Sequence, residues 1–311
     1  MNKALTIILL SLMFLFPLDN HAQYNIDYGF SFGTGNYLGD IGGKEKEGRP
    51  FILDMQWGQT RTAVGAFLRY RFHHNFAYKV SVNWVRLQGA DSLSTNVNRV
   101  ARNLHFRNDI IENMHTFEYN FFEIHDLGNT RRYLWDLKTY AYTGAGFFYN
   151  NPQAFYDFRW HELQPLQTEN QSYSRLQAAI PVGVGAYITY RNNVRFGIDI
   201  GWRWTFTDYI DDVSTSYPTE EQLGNDPLRI ALSSRTTPEH MESIVPPDGQ
   251  TLAPIENFLP GSGVRGNPDN NDSYFVTTFS VSFFIRGQSK FTNSKYGYVM
   301  GSKRSAVKAK F

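Results

Sequence analysis

The sequence predicts an all-β fold, an eight-stranded antiparallel transmembrane β-barrel of the outer-membrane type with long extracellular loops. Three observations predict it. Segments of about ten residues alternate apolar and polar side chains, which is the period of a β-strand. The connections between these segments are alternately short and long, as in bacterial barrels. The chain also opens with the pattern of a secretory signal peptide.

The signal peptide is read from its charge and its apolar run. Lys3 supplies the positive charge, residues 4–16 are almost all apolar, and a short polar segment ends at Ala22. The run is shorter than the ~20 residues that a membrane-spanning helix needs, which disfavours an N-terminal anchor. The chain has no cysteine, so neither a lipid-modified cysteine nor a disulfide is expected. The predicted organisation is a signal peptide over 1–22, a barrel over 23–286 and a basic tail over 287–311.

Composition supports this class of protein. Aromatic residues make up 16% of the chain, although its mean hydropathy is polar. Membrane barrels use aromatic side chains in the girdles that border the bilayer. The net charge of +1 disfavours a nucleic-acid partner.

The segment Val194 to Phe206, VRFGIDIGWRWTF, shows the alternation most clearly. Every even position holds a large apolar side chain, whereas the odd positions include Arg195, Asp199 and Arg203. Because side chains alternate faces along a strand, one face is an apolar wall and the other carries charges in a row. We therefore expect Trp202 to face lipid and Arg203 to face the lumen.

Eight such segments are present. In the third, the alternation slips after Trp84, which predicts either a bulge or the end of membrane contact. The fifth has glycines at its centre, so its facing stays open, and in the sixth Pro181 is expected to face inward. The predicted strands are Tyr24 to Leu38, Ala63 to Phe72, Phe76 to Gln88, Ile111 to Ile124, Leu137 to Tyr149, Leu176 to Tyr190, Val194 to Phe206 and Tyr274 to Ile285.

The lengths of the connections predict the orientation. Residues 73–75 and 191–193 are short links, and 126–132 is of moderate length. The remaining links are long, namely 39–62, 89–110, 150–175 and 207–273. With the N-terminus in the periplasm, every shorter link falls on the periplasmic side. Both termini are therefore expected there, in an integral protein of the outer membrane.

Charged side chains are expected to fill the lumen, because eight strands enclose just enough space for side chains. Same-face residues four apart on a strand lie about 13 Å apart, so Arg195 and Arg203 must find partners across the lumen. Asp199 and Glu118 are the available anions, and buried charges of this kind must be paired. A salt-bridged plug is favoured over a polar conduit. The predicted lumen charges are Arg69, Arg71, Lys79, Glu118, Arg195, Asp199 and Arg203.

Chemical sites have little support in the sequence. The cluster of Asp208, Asp211 and Asp212 offers oxygen ligands that suit Ca²⁺, but a loop-nucleating role is the commoner use of such a cluster. Catalytic and nucleotide-binding motifs are absent, so no enzyme activity, metal or cofactor is expected. The proline-rich segment 207–273 is expected to lack regular structure, and its outer part either contacts a partner or is disordered.

Basic residues predict a docking surface on the periplasmic side. The tail after Arg286 has six cations and no acid, which is typical of an interaction segment or a solvated end. The predicted docking residues are Lys290, Lys295, Lys303, Arg304, Lys308 and Lys310, together with Arg131, Arg132 and Arg191 on the periplasmic turns.

Five segments resemble the PorG-like outer-membrane barrels of the type IX secretion system. They are GNYLGDIGG (35–43), RNLHFRNDIIE (102–112), TENQ (168–171), IPVGVGAYITY (180–190) and FTDYIDDVSTSY (206–217). TENQ departs from the family in having Asn170 where a glycine is expected. The resemblance implies a non-enzymatic barrel that ties a periplasmic ring of PorK/PorN-like proteins to the outer membrane. The alternatives are a stand-alone OmpA- or OmpW-like barrel and a barrel enzyme acting on lipid A or peptides.

Overall fold

A computed structural model describes residues 26–41, 57–127, 134–191, 193–247 and 249–285. The predicted signal peptide, the basic tail with its six cations, and Arg131 and Arg132 lie outside the described residues.

Ten strands form one antiparallel sheet. Their lengths vary, and β4 with 20 residues extends well beyond its neighbours. They are β1 (Ile26–Leu38), β2 (Arg61–Arg71), β3 (Phe76–Ala90), β4 (His105–Ile124), β5 (Trp135–Tyr149), β6 (Pro152–Tyr156), β7 (Arg159–Glu162), β8 (Leu176–Tyr190), β9 (Val194–Thr205) and β10 (Ser273–Ile285).

Eight of these strands close into a barrel. Their order is β3-β2-β1-β10-β9-β8-β5-β4, and β3 also pairs with β4, which joins the two ends. The β6–β7 hairpin is attached to the upper part of β4, where Arg107 pairs with Gln153. The predicted fold class, a closed eight-stranded antiparallel barrel, is confirmed.

Side chains alternate between an apolar outer face and a mostly polar inner face. On β9, Phe196, Ile198 and Ile200 are exposed outside, whereas Arg195 and Asp199 are buried inside. On β5, the strand whose facing the sequence left open, Lys138, Tyr140 and Tyr142 point inward. Pro181 of β8 is also buried on the inner side, opposite Arg203 of β9.

The third predicted strand contains no bulge, since β3 and β4 pair in one register from Phe76↔Tyr119 to Ala90↔His105. Beyond Trp84 the apolar side chains Val85 and Leu87 point inward and are fully buried. The alternation therefore changes after Trp84 because the outer face of the barrel becomes polar at that level. A shift of register is present instead in the pairing of β4 with β5, between Asn120 and Phe122 of β4.

Two of the predicted long loops contain short regular elements. The segment 150–175 holds the β6–β7 hairpin and α2 (Leu163–Leu166), and 207–273 holds α3 (Pro227–Ser233) and α4 (Pro238–Glu242). Most of 207–273 is irregular, as expected, and its two helices begin at Pro227 and Pro238, a position that proline favours. Asp226 and Thr237 cap these helices through their side chains.

The remaining helical elements are short. Among the described residues they are α1 (Val97–Arg102) and the 3₁₀ turns at Trp57–Gln59, Asp91–Leu93 and Ile255–Phe258. Within the described ranges, no helix is long and apolar enough to cross a membrane.

Candidate functional site

The lower part of the lumen is organised around Asp27. Asp27 of β1 lies directly opposite Arg69 of β2 in the register, and the two side chains pair at 3.2 Å. Arg195 of β9 reaches the same carboxylate at 2.6 Å across β10, where Ser282 also donates to it. The ring of Tyr187 lies against both guanidinium groups, and Arg71 donates to its hydroxyl group. One carboxylate therefore holds two buried arginines.

A second group of charges lies beside the first. Glu118 forms an ion pair with Arg69 at 2.8 Å, and Lys79 lies 3.9 Å from Glu118 and 3.5 Å from Asp199. Tyr140 donates a hydrogen bond to Asp199. All seven predicted lumen charges thus lie on the inner side of the barrel, and six of them, all except Arg203, are linked to Asp27 through these contacts.

Arginine pairing differs from the expectation in two cases. Arg195 pairs with Asp27 rather than with Asp199, and Arg203 pairs with Glu112 at 3.3 Å rather than with Glu118. Tyr274 donates to the other oxygen of Glu112 at 2.7 Å. The expected partners were wrong because closure of the barrel places β1 beside β10. Asp27 of β1 thereby comes close to Arg195 of β9, although the two residues are far apart in the sequence.

Sequence reasoning missed Asp27, Glu112 and the buried tyrosines. A signal for Asp27 was available, since it alternates with the outward Ile26 and Tyr28 in the first segment. Glu112 had the same signal, because it lies six residues before Glu118 and therefore on the same face of β4.

The network encloses a small cavity. A cavity of about 30 Å³ lies among Lys79, Asn83, Tyr142, Asp199 and Arg203. That volume is about the share of one water molecule in the liquid. Above it the interior is apolar, with a buried cluster that includes Leu87, Phe106, Phe148 and Ile210.

A layer of loops, which we call the cap, closes the end of the barrel at which the long connections lie. Asp211 accepts from the backbone N–H of Ile41 at 3.0 Å and from that of Val213 at 2.9 Å. Asp272 accepts from the Tyr37 hydroxyl at 2.6 Å and from the Ile210 N–H at 2.9 Å. These two carboxylates bind the loop after β9 to the ends of β1 and β10.

The short segment before β8 completes the cap. Glu169 accepts from the backbone N–H groups of Ser214 and Thr215, each at 2.9 Å, and pairs with Arg265 at 2.9 Å. Thr168 donates to Asp212. Asn170 adopts φ +55°, the left-handed region that glycine favours, which explains why glycine suits this position.

The loop between β3 and β4 joins the same cluster. Arg102 pairs with Asp91 at 2.8 Å and donates to the backbone carbonyls of Asp40 and Arg265. The Asn108 side chain donates to the Ile210 carbonyl at 2.7 Å. Four of the five segments that carry the family resemblance therefore meet in the cap, and the fifth forms part of β8.

Carboxylates outnumber guanidinium groups in this cap, and burial raises the pKa values of five of them, Asp40, Asp208, Asp211, Asp212 and Asp272. Burial raises the pKa of Asp208 to about 8, with further contributions from Asp211 and Asp40. Burial and Asp40 raise the pKa of Asp211 to about 7. Burial raises the pKa of Asp212 to about 6, against the opposing effect of Arg265. The cap therefore holds protons at neutral pH.

The calcium interpretation of Asp208, Asp211 and Asp212 finds no geometric support. Oxygens of Asp211 accept from backbone N–H groups, and those of Asp212 accept from Thr168 and Tyr173. Among the residues that the structure describes, no group of three or more His, Cys, Asp or Glu side chains is placed to hold a metal ion. The cluster instead organises the loop.

Of the predicted docking residues, only Arg191 lies within the described ranges. Its backbone has φ +50°, and its guanidinium carbon lies 5.1 Å from the centre of the Tyr190 ring. Arg191 therefore lies at the barrel end opposite the cap, in the turn between β8 and β9.

Solved structures similar to this chain include small membrane barrels at low identity. OprG from Pseudomonas aeruginosa is 8% identical over 86% of this chain and 100% of that one, with a TM-score of 0.37. Neisserial surface protein A is 8% identical over 84% and 97%, with a TM-score of 0.36. The N-terminal β-barrel domain of Pseudomonas aeruginosa OprF is 7% identical over 84% and 98%, with a TM-score of 0.34. Because these superpositions are partial, the barrel assignment rests on the strand pairing of this chain.

Sequence comparison adds the family. No curated protein matches the chain. Neither the family description nor the three structures above concern type IX secretion, so that expectation stays a prediction. A family model described as a domain of unknown function (DUF6089) matches residues 3–231, and the chain belongs to that family.

Proposed function

We propose that this protein is a non-enzymatic, integral barrel of the outer membrane that acts through its surfaces and not as a pore. The observation that carries the proposal is the ion-paired lumen, in which charged side chains from different walls meet around a cavity of about 30 Å³. The proposal corresponds to a stand-alone OmpA- or OmpW-like barrel with both termini in the periplasm. The cap adds a second closure above the lumen.

Membrane placement is supported by the outer face. Aromatic rings cluster at the end with the short turns, where Phe76 lies 5.1 Å from Tyr119 and Trp135 lies 4.4 Å from Tyr190, measured between ring centres. Trp204 and Phe206 stack at the opposite end of β9. Aromatic side chains at both borders of an apolar band are the pattern of a barrel in a bilayer.

We expect an arginine on the outer face to destabilise the barrel in a bilayer. Ile200 is 41% exposed outside, so Ile200→Arg should cost about 2–4 kcal/mol in a bilayer refolding assay. Leu93→Arg is the control, because Leu93 is exposed in the cap and an arginine there stays in water. Equal stability of Ile200→Arg and Leu93→Arg would refute the membrane placement of β9.

We expect no ion conductance from the purified barrel. The lumen network joins charges from opposite walls, and an ion would have to displace paired side chains to pass. Planar-bilayer recordings should therefore show no stable unitary steps. Large, reproducible steps would contradict the ion-paired lumen and favour a conduit.

A second candidate function is the anchoring of a periplasmic ring of the type IX secretion system. Its support is the resemblance of five segments, together with a tail of six cations and no acids. The ring protein, of the PorK/PorN type, would present an acidic patch to the tail and to Arg131, Arg132 and Arg191. Charge complementarity of this kind mainly raises the association rate and fixes the register of the contact.

Deleting residues 287–311 should leave the barrel inserted but weaken co-purification of the ring protein. The wild-type interaction should also weaken with added salt, whereas the residual interaction of the deletion should not. Arg191→Ala is a milder comparison, because it removes one rim cation and keeps the tail. If the deletion co-purifies as much ring protein as the wild type at low and high salt, the docking hypothesis is wrong.

A further inference from the structure

A groove of about 710 Å³ lies on the outer face of the barrel. Two neighbouring rows of paired residues line it. The first row runs from Phe275 through Trp202, Val182 and Thr143 to Phe117. The second runs from Ile200 through Val184, Ala141 and Tyr119 to Phe76.

The groove extends over the height of the barrel wall. Phe275 is near the start of β10, at the end of the barrel that bears the cap. Phe76 is the first residue of β3, next to the short turn at the opposite end. Small side chains at Ala141 and Thr143 form the floor, and aromatic side chains form the two ends.

A polar cleft of about 650 Å³ opens above the groove, in the cap. Trp202 lines both cavities, so the cleft and the groove meet at its indole ring. Tryptophan is favoured where an apolar region borders water, because its ring is apolar and its N–H is polar. The two cavities therefore form one amphipathic site, polar above Trp202 and apolar below it.

Asparagine side chains dominate the polar cleft. They are Asn96, Asn98, Asn267, Asn270 and Asn271. The side-chain oxygens of Asn96, Asn98 and Asn267 already accept backbone N–H groups. The exposed amides of Asn270 and Asn271 offer donors and an acceptor, which is the combination that matches sugar hydroxyl groups. Two arginines in the cleft wall, Arg102 and Arg265, are already paired with Asp91 and Glu169. The other charged side chains of the wall, Asp40 and Arg99, have opposite signs, so the cleft has no excess of one charge and suits a neutral, hydroxyl-rich group better than a polyanion.

We propose that this site binds an outer-leaflet glycolipid, with its sugar head in the cleft and an acyl chain along the groove. The proposal rests on the membrane placement proposed above. In a bilayer, hydrocarbon covers the groove, and the volumes of both cavities fall in the range of ligand sites. A glycolipid satisfies both halves of the site at once, and Trp202 marks the border between head and chain.

Native mass spectrometry of the full-length barrel tests this proposal. The protein is reconstituted in nanodiscs that contain equal amounts of phosphatidylcholine and digalactosyl diacylglycerol, and the lipids that it retains are counted. We expect the glycolipid to be retained about tenfold over phosphatidylcholine, since a few hydrogen bonds to the head favour it by about 1–2 kcal/mol.

Matched variants separate the two halves of the site. Ala141→Trp fills the groove and should abolish glycolipid retention, whereas Ala66→Trp places the same ring on an exposed position of β2 outside the groove. Replacing Asn270 and Asn271 with alanine should remove the preference for the glycolipid. Asn257→Ala is the control for this double variant, because Asn257 is exposed but does not line the cleft.

The possible outcomes are distinct. Equal retention by Ala141→Trp and Ala66→Trp would overturn the groove, and an unchanged preference in the double asparagine variant would overturn the sugar assignment. Heat-dependent migration in gels reports the folded, inserted barrel in every sample. If the wild type fails to insert, the membrane placement itself is wrong; if it inserts without a preference for the glycolipid, only the lipid site is wrong.

Discussion

Replacing Asp27 with alanine is expected to destabilise the barrel by about 3–5 kcal/mol, because it leaves the buried Arg195 without its carboxylate and removes one of the two carboxylates that pair with Arg69. Asp27 is 1% exposed and pairs with Arg69 and Arg195 from neighbouring walls of the lumen. Removal of one partner from a buried pair costs more than the pair contributes, since the remaining charge keeps its desolvation penalty. Urea unfolding of the barrel in detergent measures this loss.

Asp109→Ala is the matched control for this prediction. Asp109 pairs with Arg86 at 2.6 Å on the outer face, but both side chains are about one-third exposed. An exposed pair contributes less than about 1 kcal/mol, because water screens it and solvates the remaining charge. If Asp27→Ala lowered the free energy of unfolding as little as Asp109→Ala does, this would show that water enters the lumen network.

The facing of the strands could be predicted from the sequence because the barrel has two chemically different sides. Alternation alone put Phe196 and Ile200 outside and Arg195 and Asp199 inside. Where both faces are apolar or small, as in β5, alternation carried no information. In β3 the pattern changed after Trp84 because the outer face leaves the apolar band there, while Val85 and Leu87 begin the apolar interior.

The pairing of the lumen charges could not be predicted in the same way. Pairing depends on which strands become neighbours when the sheet closes and on their register. Arg195 reaches Asp27, which is 168 residues away in the chain and two strands away in the sheet. Strand spacing showed only that the partners must come from across the lumen, since same-face residues four apart on a strand lie about 13 Å apart.

The cap was also beyond sequence reasoning, for a related reason. Its carboxylates bind backbone N–H groups from distant loops, and composition alone marked the 207–273 segment only as rich in proline. The acidic cluster in FTDYIDDVSTSY was noticed, but its role depends on Ile41 and Thr168, which other loops bring to it. This closure and the ion-paired lumen both support the proposal that the barrel acts through its outer surfaces.

The cap is expected to open more readily as the pH rises from 5 to 9. Burial raises the pKa of Asp208 to about 8 and that of Asp211 to about 7, and it raises the pKa of Asp272 as well. In the open cap these carboxyl groups return to about 3.9. The closed cap therefore binds more protons than the open cap does. Its extra stability is complete below about pH 4 and is lost as the pH rises through about 8.

Hydrogen exchange measures this effect locally. The backbone N–H groups of Ile41, Ile210 and Val213 donate to Asp211 and Asp272, so their protection factors report whether the cap is closed. We expect protection to fall between pH 5 and pH 9 by a free energy on the order of a few kcal/mol, since each pKa unit corresponds to about 1.4 kcal/mol. Amides in the lower barrel, such as that of Val80, should change little.

A neutral variant distinguishes proton binding from a general effect of pH. Asp208→Asn combined with Asp211→Asn keeps the shape of the side chains but removes the groups whose pKa values burial raises most clearly into the physiological range. Protection in this variant should depend on pH much less than in the wild type. Asp109→Asn, which alters a half-exposed carboxylate outside the cap, should retain the wild-type dependence. If the wild-type cap amides show the same protection factors at pH 5 and pH 9, the buried carboxylates do not hold protons in the closed cap.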